Sequence, residues 1–197
     1  VTAAHQQLHT ARLLLQAPDA TPGSPQVAAV ADFYRRNAAH FAPWDPPLPA
    51  DHAAPERIAQ ALADGAEAFA TGRALRWWLL PAGTPGRVIG QVHLSSLVRG
   101  AFQSCHLGYA LDAGCQGRGL MHEALRRVID EAFSPRLNLH RIQAAVRPEN
   151  HRSLAVLARL GFAQIGLARS YLFIDGAWRD HHLLELTHPA FVQPADW

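Results

Sequence analysis

The segment from residue 103 to residue 146 narrows the possible folds more than any other part of the chain. It reads QSCHLGYALD, a run of strand composition, then the glycine turn CQGRGLM, then an amphipathic stretch, then LNLHRIQAAV. Residues 117–134 place Leu120, Ala124, Leu125, Val128, Ile129, Ala132 and Phe133 on one face of a long helix. Leu139–Val146 reads as a second strand. Strand, helix and strand in that order pack with the two strands parallel and the helix crossing over right-handed on one face of their sheet. Any architecture for this chain has to contain that unit.

The rest of the chain is arranged around it. ALRWWLLPAG, RVIGQVHLSSLV and QSCHLGYALD are strand-like runs separated by Gly/Pro turns, the pattern of an antiparallel meander. Arg12–Leu15 reads as a first strand, stopped by Pro18. Gln26–His40 has helical spacing at Val27, Val30, Phe33 and Tyr34, and Pro55–Thr71 starts on proline and ends at Gly72. Between those helices FAPWDPPLP, residues 41–49, is either a packed connector or a substrate wall. Glu149–Leu160 is a helix with Leu154, Leu157 and Leu160 inward and Gly161 as its stop. SYLFI, Asp175-Gly176 and AWRDHHLLEL form a closing hairpin. The order β, α, α, β, β, β, α, β, α, β, β predicts one α/β domain over residues 1–197, with its core at about 10–188. Its sheet is mixed, mostly antiparallel with one parallel pair, and carries helices on both faces.

Composition excludes several classes. Of 197 residues 49% are hydrophobic and 17% charged, which rules out a disordered tail or a coiled coil. All 18 basic residues are arginine, a bias that base composition accounts for, and no lysine is present as Schiff-base nucleophile or phosphate clamp. Residues 1–100 hold 8 Arg against 7 acids and residues 101–197 hold 10 against 9, so no basic stripe argues for nucleic acid. Cys105 and Cys115 are too few for a disulfide framework and read as thiols in a reducing compartment. No apolar run approaches the roughly 18 residues of a membrane span. VTAAHQQLHTARLLLQ lacks the charged-then-apolar order of a signal peptide, and a cytoplasmic location follows as the expectation. Adjacent His181 and His182 on a strand point to opposite faces and cannot share an ion, so no metal is expected. Trp77-Trp78 places one ring inward and one outward.

The sharpest chemical feature is Cys115-Gln116-Gly117-Arg118-Gly119-Leu120-Met121, at the junction of a strand and a long helix. Glycines there let backbone N–H groups converge, and the free amides of the first helical turn add partial positive charge. That is a cradle for a phosphate or pyrophosphate, to which Arg118 could add a contact. No Lys-Ser/Thr follows as in a Walker loop, and the glycines do not match the dinucleotide fingerprint.

Gln116-Gly117-Arg118-Gly119 resembles the acetyl-CoA pyrophosphate loop of the GCN5-related N-acetyltransferases (GNAT). A second mark of that family is Asn150-His151-Arg152-Ser153 on the next helix, followed by Leu160-Gly161-Phe162. LVRGAFQSCHLGYALD, CQGRGLMHEAL, HRIQAAVRPENHRS, LARLGF and SYLFIDGAWRDH are similar to the ribosomal-protein-alanine N-acetyltransferase (RimJ/RimL) branch, a likeness densest from residue 97 onward. Two positions depart from the family. Met121 stands where the loop pattern ends in a small residue, and Leu157 where many members carry a tyrosine.

The resemblance implies acetyl-CoA as cosubstrate, seated where Cys105–Leu111 and Leu139–Val146 splay apart. Pantetheine would lie along the first of these strands, and the pyrophosphate on the backbone of Gln116, Gly117, Arg118, Gly119, Leu120 and Met121. The thioester oxygen would meet a backbone N–H near Tyr109 or Leu111. Asn150 would hold pantetheine or cap its helix, and Ser153 would return a proton to the CoA sulfur or serve only in packing. For the general base, the carboxylate that many relatives carry on the strand before the wedge is missing; that strand offers His106 and Tyr109, and a water chain ending on a backbone carbonyl or on a carboxylate such as Asp175 or Glu149 is another route. Arg99, beside Gly100, would line the acceptor path or stand in solvent. The implied acceptor is an α-amine of a protein or peptide N-terminus, on a monomer or homodimer. A small-molecule amine, or a CoA-binding module without catalysis, remain the other readings.

Overall fold

The structure, a computed structural model, describes residues 4–84 and 86–193. Val1–Ala3 of the N-terminal segment read above, and the outer ends of the 1–197 span, lie outside the described residues. Eight strands form one sheet: β1 (Gln7–His9), β2 (Leu13–Gln16), β3 (Leu75–Pro81), β4 (Gly90–Val98), β5 (Ser104–Leu111), β6 (Arg141–Val146), β7 (Ala163–Ile174) and β8 (Ala177–Thr187). Their order across the sheet is β1-β2-β3-β4-β5-β6-β8-β7. Every neighbouring pair is antiparallel except β5 and β6. That parallel pair is joined by the expected crossover helix, α3 (Leu120–Phe133). The remaining helices are α1 (Pro25–Phe41), α2 (Pro55–Ala70) and α4 (His151–Arg159).

Both faces of the sheet are covered. α3 and α4 close one face with Leu125, Val128 and Leu157 over Leu79, Val92, Leu94, Cys105 and Ile142. α1 and α2 close the other with Val30, Phe33, Phe41, Ile58 and Leu62 over Trp78, Leu80 and Val88. The adjacent tryptophans do point to opposite faces, yet neither is exposed. Trp77 packs edge-on against Phe69, and Trp78 against Phe33 and Tyr34.

Several boundaries differ from the sequence reading by two or three residues, and three elements differ in instructive ways. α3 begins at Leu120 rather than at residue 117, because Gly117 (φ 75°) and Gly119 (φ 74°) adopt left-handed backbone that no helix continues. β7 extends back to Ala163, well before SYLFI. Register shifts at Gln164/Gly166 and Ala168/Leu172 break its two-residue alternation and hide it from pattern reading. β1, only three residues long, is too short to leave a pattern.

One polar node ties α1 to the end of β5. Asp112 is buried and accepts hydrogen bonds from Arg36 Nε (2.7 Å) and from the Gly114 N–H (2.9 Å). Burial opposes its ionisation, but the bonds from Arg36, Gly114 and Asn37 outweigh it and hold the carboxyl below its ordinary range. Arg36 also reaches Asp32 and the Val88 carbonyl. Asp112→Ala takes from Arg36 its buried partner, leaving it only the exposed Asp32 and the Val88 carbonyl, and should cost about 2 kcal/mol in urea unfolding. Asp112→Asn, which can still accept from the Gly114 N–H, should cost less.

Candidate active site

β5 and β6 pair over only three positions, Ser104↔Arg141, Cys105↔Ile142 and His106↔Gln143. Beyond them β5 stays with β4 as far as Leu111, while β6 stays with β8 as far as Val146. The two strands therefore part. At the end of β5 the Asp112 N–H donates to Ile89 O toward the β4 side (2.8 Å). Alternation along the strand then turns the amides of Leu111 and Tyr109 toward the gap left by β6. An extended ligand laid there finds the edge of a strand to bond to.

A cavity of about 350 Å³ passes through the sheet at this gap. On the α4 side it is lined by Tyr109, Asn150 and Ser153, and on the α1–α2 side by Arg76, Gln91 and His93. Trp44, Asp45, Pro46 and Leu48 close its outer wall. The segment FAPWDPPLP is therefore a wall of the cavity and not merely a connector.

Tyr109 and Ser153 meet directly, Oη to Oγ at 2.6 Å. Burial pushes the phenol up to about 12, so Tyr109 carries its proton at neutral pH. Asn150 caps α4, its Oδ1 accepting from the Ser153 N–H at 3.1 Å. The same side of the cap also borders the cavity. Leu111 ends the free edge of β5.

The glycine loop lies beyond that end. A single 3₁₀ turn, Ala113–Cys115, leads into it, and no side chain caps α3. The first amide of the helix to reach a carbonyl is that of Glu123, on Gly119 O at 3.1 Å. The amides of Gly117 to Met121 thus surround an open, electropositive concavity that fits a pyrophosphate. Met121 turns its side chain into the core, so the departure from a small residue leaves the backbone cradle unobstructed. Gln116 is held at both ends, with Nε2 against His40 Nε2 (2.9 Å) and Oε1 accepting from Arg152. Arg118 presents an exposed side chain, and its carbonyl accepts from Arg12 Nη1 at 2.9 Å. Arg12 is in turn paired with Glu123, Nε to Oε2 at 2.6 Å.

Two expected positions lie elsewhere. His106 is exposed and does not line the cavity, although it shares the α1–α2 face with His93. Arg99 is tied to Leu137 O (2.6 Å) and Gln103 Oε1 (3.2 Å), which fastens the β4–β5 loop to the α3–β6 loop. His181, by contrast, is buried at the cavity while its neighbour His182 lies on the opposite side of the strand. Among the described residues no group of three or more His, Cys, Asp or Glu side chains converges as metal ligands. Cys105 and Cys115 are both free.

The sequence reading missed Asp45, His93, Arg12 and Arg147. Burial raises Asp45 to about 6. Burial, and secondarily Arg76, lowers His93 to about 4, so its ring is neutral. A Cβ on Gly108 would come within 2.3 Å of the His93 ring, so glycine there makes room for the imidazole. Arg147 donates to Pro43 O (2.5 Å) and stacks over Trp44 (5.4 Å to the ring centroid). A proline-rich loop gave a signal for the wall, but the contacts span some hundred residues and left none.

A splayed parallel pair, an uncapped glycine loop and a cavity piercing the sheet between them define an acyl-CoA-dependent transferase. The chain belongs to the acetyltransferase (GNAT) domain family, whose model matches residues 12–163. It is 39% identical over 160 residues to the [ribosomal protein uS5]-alanine N-acetyltransferase of Escherichia coli, covering 81% of each chain. The ribosomal-protein-S5-alanine acetyltransferase of Vibrio fischeri superposes with a TM-score of 0.88 at 32% identity, over 95% of this chain and 99% of that one. RimJ of Mycobacterium smegmatis, solved with CoA-disulfide, gives 0.82 at 31% identity, over 93% and 85%.

Asp45 and His93 act on the pH dependence of stability with opposite signs. His93 titrates at 6.5 when unfolded but at about 4 when folded, so it withdraws stability as pH falls through that window. Asp45 rises from 3.8 to about 6 on folding, so it adds stability as pH falls through its own window. Urea midpoints should therefore fall more steeply on acidification from pH 6.5 to 4 in Asp45→Asn than in the parent, and less steeply in His93→Gln.

Proposed function

We propose that this acetyltransferase carries the acetyl group of acetyl-CoA to the α-amine of a protein N-terminus, and that its acceptor is the alanine or serine end of a ribosomal protein. The cavity that pierces the sheet carries this reading. It lets a thioester on the α4 side meet an amine arriving from the α1–α2 side. The E. coli relative, named for the alanine of ribosomal protein uS5, supports the choice of acceptor.

Pantetheine would extend along Leu107–Leu111 as an added strand, with the pyrophosphate on the amides of Gln116 to Met121. Attack of the amine nitrogen on the thioester carbon forms the C–N bond, and collapse breaks the C–S bond. Negative charge on the carbonyl oxygen in between is met by a backbone N–H of Tyr109 or Leu111, fixed in direction before substrate arrives. The departing thiolate takes a proton from Ser153 Oγ, which the Tyr109 hydroxyl can replenish across their 2.6 Å contact. No covalent enzyme intermediate is formed, so the absence of lysine removes nothing the reaction needs.

Two variants separate binding from chemistry. Gly119→Glu places a charged side chain on a left-handed residue of the cradle and should abolish acetyl-CoA binding in calorimetry. Ser153→Ala should bind acetyl-CoA as the parent does and turn over about 10²-fold more slowly or worse. Peptides beginning with Ala or Ser should be acetylated in preference to free amino acids and aminoglycosides. Turnover confined to the free amines would reject the protein acceptor, and acetyl-CoA binding with no turnover of any amine would reject catalysis.

A further inference from the structure

An amine that attacks a thioester must first lose a proton, and the cavity contains one acid placed to take it. Asp45 is the only carboxylate lining the cavity among the described residues. It sits in FAPWDPPLP, where Pro43, Pro46 and Pro47 restrict the backbone, and its N–H bonds Phe41 O at 3.0 Å to continue the last turn of α1. Neither an ion pair nor a side-chain hydrogen bond occupies its carboxylate among the described residues. The titratable and charged groups that share the cavity with it are Tyr34 from α1, Arg76 from β3, His93 from β4, Tyr109 from β5, Arg147 after β6 and His181 from β8. Both cations are engaged elsewhere. Arg76 bonds Gln91 Oε1 (2.5 Å), while Arg147 bonds Pro43 O and pairs with Glu149 (3.3 Å). His93, the alternative base, is held neutral with its Nδ1 buried and unpartnered.

We propose that Asp45 is the general base of the reaction, receiving the acceptor ammonium and taking its first proton, and that Arg147 is the positioning residue that holds it against the cavity. The inference rests on the acetyltransferase reading above. Of the three protons on the ammonium, one passes to Asp45 and then to solvent, one leaves with the CoA thiol and one stays on the amide. Burial matches the carboxyl to this task. At about 6 it lies some two units below an α-ammonium of about 7.7–8.0, whereas an ordinary aspartate lies four below. A lysine ε-ammonium at about 10.4 is more than four units above Asp45, so the same match selects α-amines over ε-amines. Arg147 acts at the loop itself. Its guanidinium covers Trp44 and grips Pro43 O, the two residues that precede Asp45.

The test is the pH profile of kcat/KM for an Ala-starting peptide, with acetyl-CoA affinity measured alongside. In the parent the profile should be bell-shaped, rising through about 6 as Asp45 ionises and falling through the ammonium's own pKa. Asp45→Asn should keep its acetyl-CoA affinity, lose about 10²-fold or more at pH 7, and lose the bell. Its rate should instead climb through about 7.7–8.0, because only amine that is already free can react. Arg147→Ala should loosen the loop and rehydrate Asp45, which moves the acidic limb of the bell from about 6 toward the ordinary 3.8. Should Asp45→Asn fail to fold, the limb shift in Arg147→Ala decides alone. An active parent whose bell survives Asp45→Asn, or whose acidic limb stays in place in Arg147→Ala, overturns this inference and leaves the acetyltransferase reading intact. A parent that binds acetyl-CoA yet acetylates no amine overturns both.

Discussion

The structure turns on a conflict over hydrogen bonds. β5 is committed to β4 along its length, and β6 to β8, so the two can share only their first three positions before their partners carry them apart. An unpaired strand edge in the middle of a sheet is costly when dry, because its amides lose water without gaining an acceptor. The gap is therefore either wet or filled by a ligand that supplies carbonyls. The candidate site gathers around that requirement. Tyr109 and Ser153 reach each other across it, and the glycine loop lies just past the end of β5.

A parting in the sheet also connects its two faces, which the covering helices would otherwise keep separate. α3 and α4 bring the uncapped helix amides and the Ser153 hydroxyl to one side. α1, α2 and the loop between them build polar walls on the other. Cosubstrate and acceptor can thus bind on opposite faces and meet only at the reacting atoms. The arrangement needs no domain motion to bring them together. It does place polar groups such as His93 and Asp45 among apolar neighbours, and both have their ionisation displaced by burial.

What could be read from the sequence is what depends on neighbours along the chain. The glycine loop, the crossover helix and the Asp175-Gly176 hairpin all follow from local spacing, and all are present. Ser153 and Tyr109 were named through family likeness, but their 2.6 Å contact joins positions 44 residues apart, which no periodicity encodes. Arg12 to Glu123 spans 111 residues and Arg147 to Pro43 spans 104. Asp45 escaped notice for a related reason. Between prolines it has the signature of a solvated turn, and only the fold shows that β3, β4 and β8 surround it. His106 illustrates the converse error. A histidine there suited a base, yet on β5 it is exposed and outside the cavity, and the buried histidine of that face is His93 two positions further along on β4.

The arginine bias gains a structural meaning in this light. A lysine ammonium is a point donor on a flexible stem, whereas a guanidinium is a rigid fork that can serve several acceptors in one plane. The chain uses its arginines as such forks. Arg12 joins Glu123 to the carbonyl of Arg118 and so ties β2 and α3 to the glycine loop. Arg36 joins Asp32, Asp112 and Val88 O, linking α1 to the ends of two strands. Arg147 joins Glu149 to Pro43 O with its flat face on Trp44. Each of these clasps ends at a segment without regular structure that borders the site. A lysine at any of them would keep three donors but lose the fixed planar geometry that meets these partners together. Base composition can account for how many arginines there are, but the positions of these three decide which loops are tied to the regular elements beside them, and the candidate site is built from those loops.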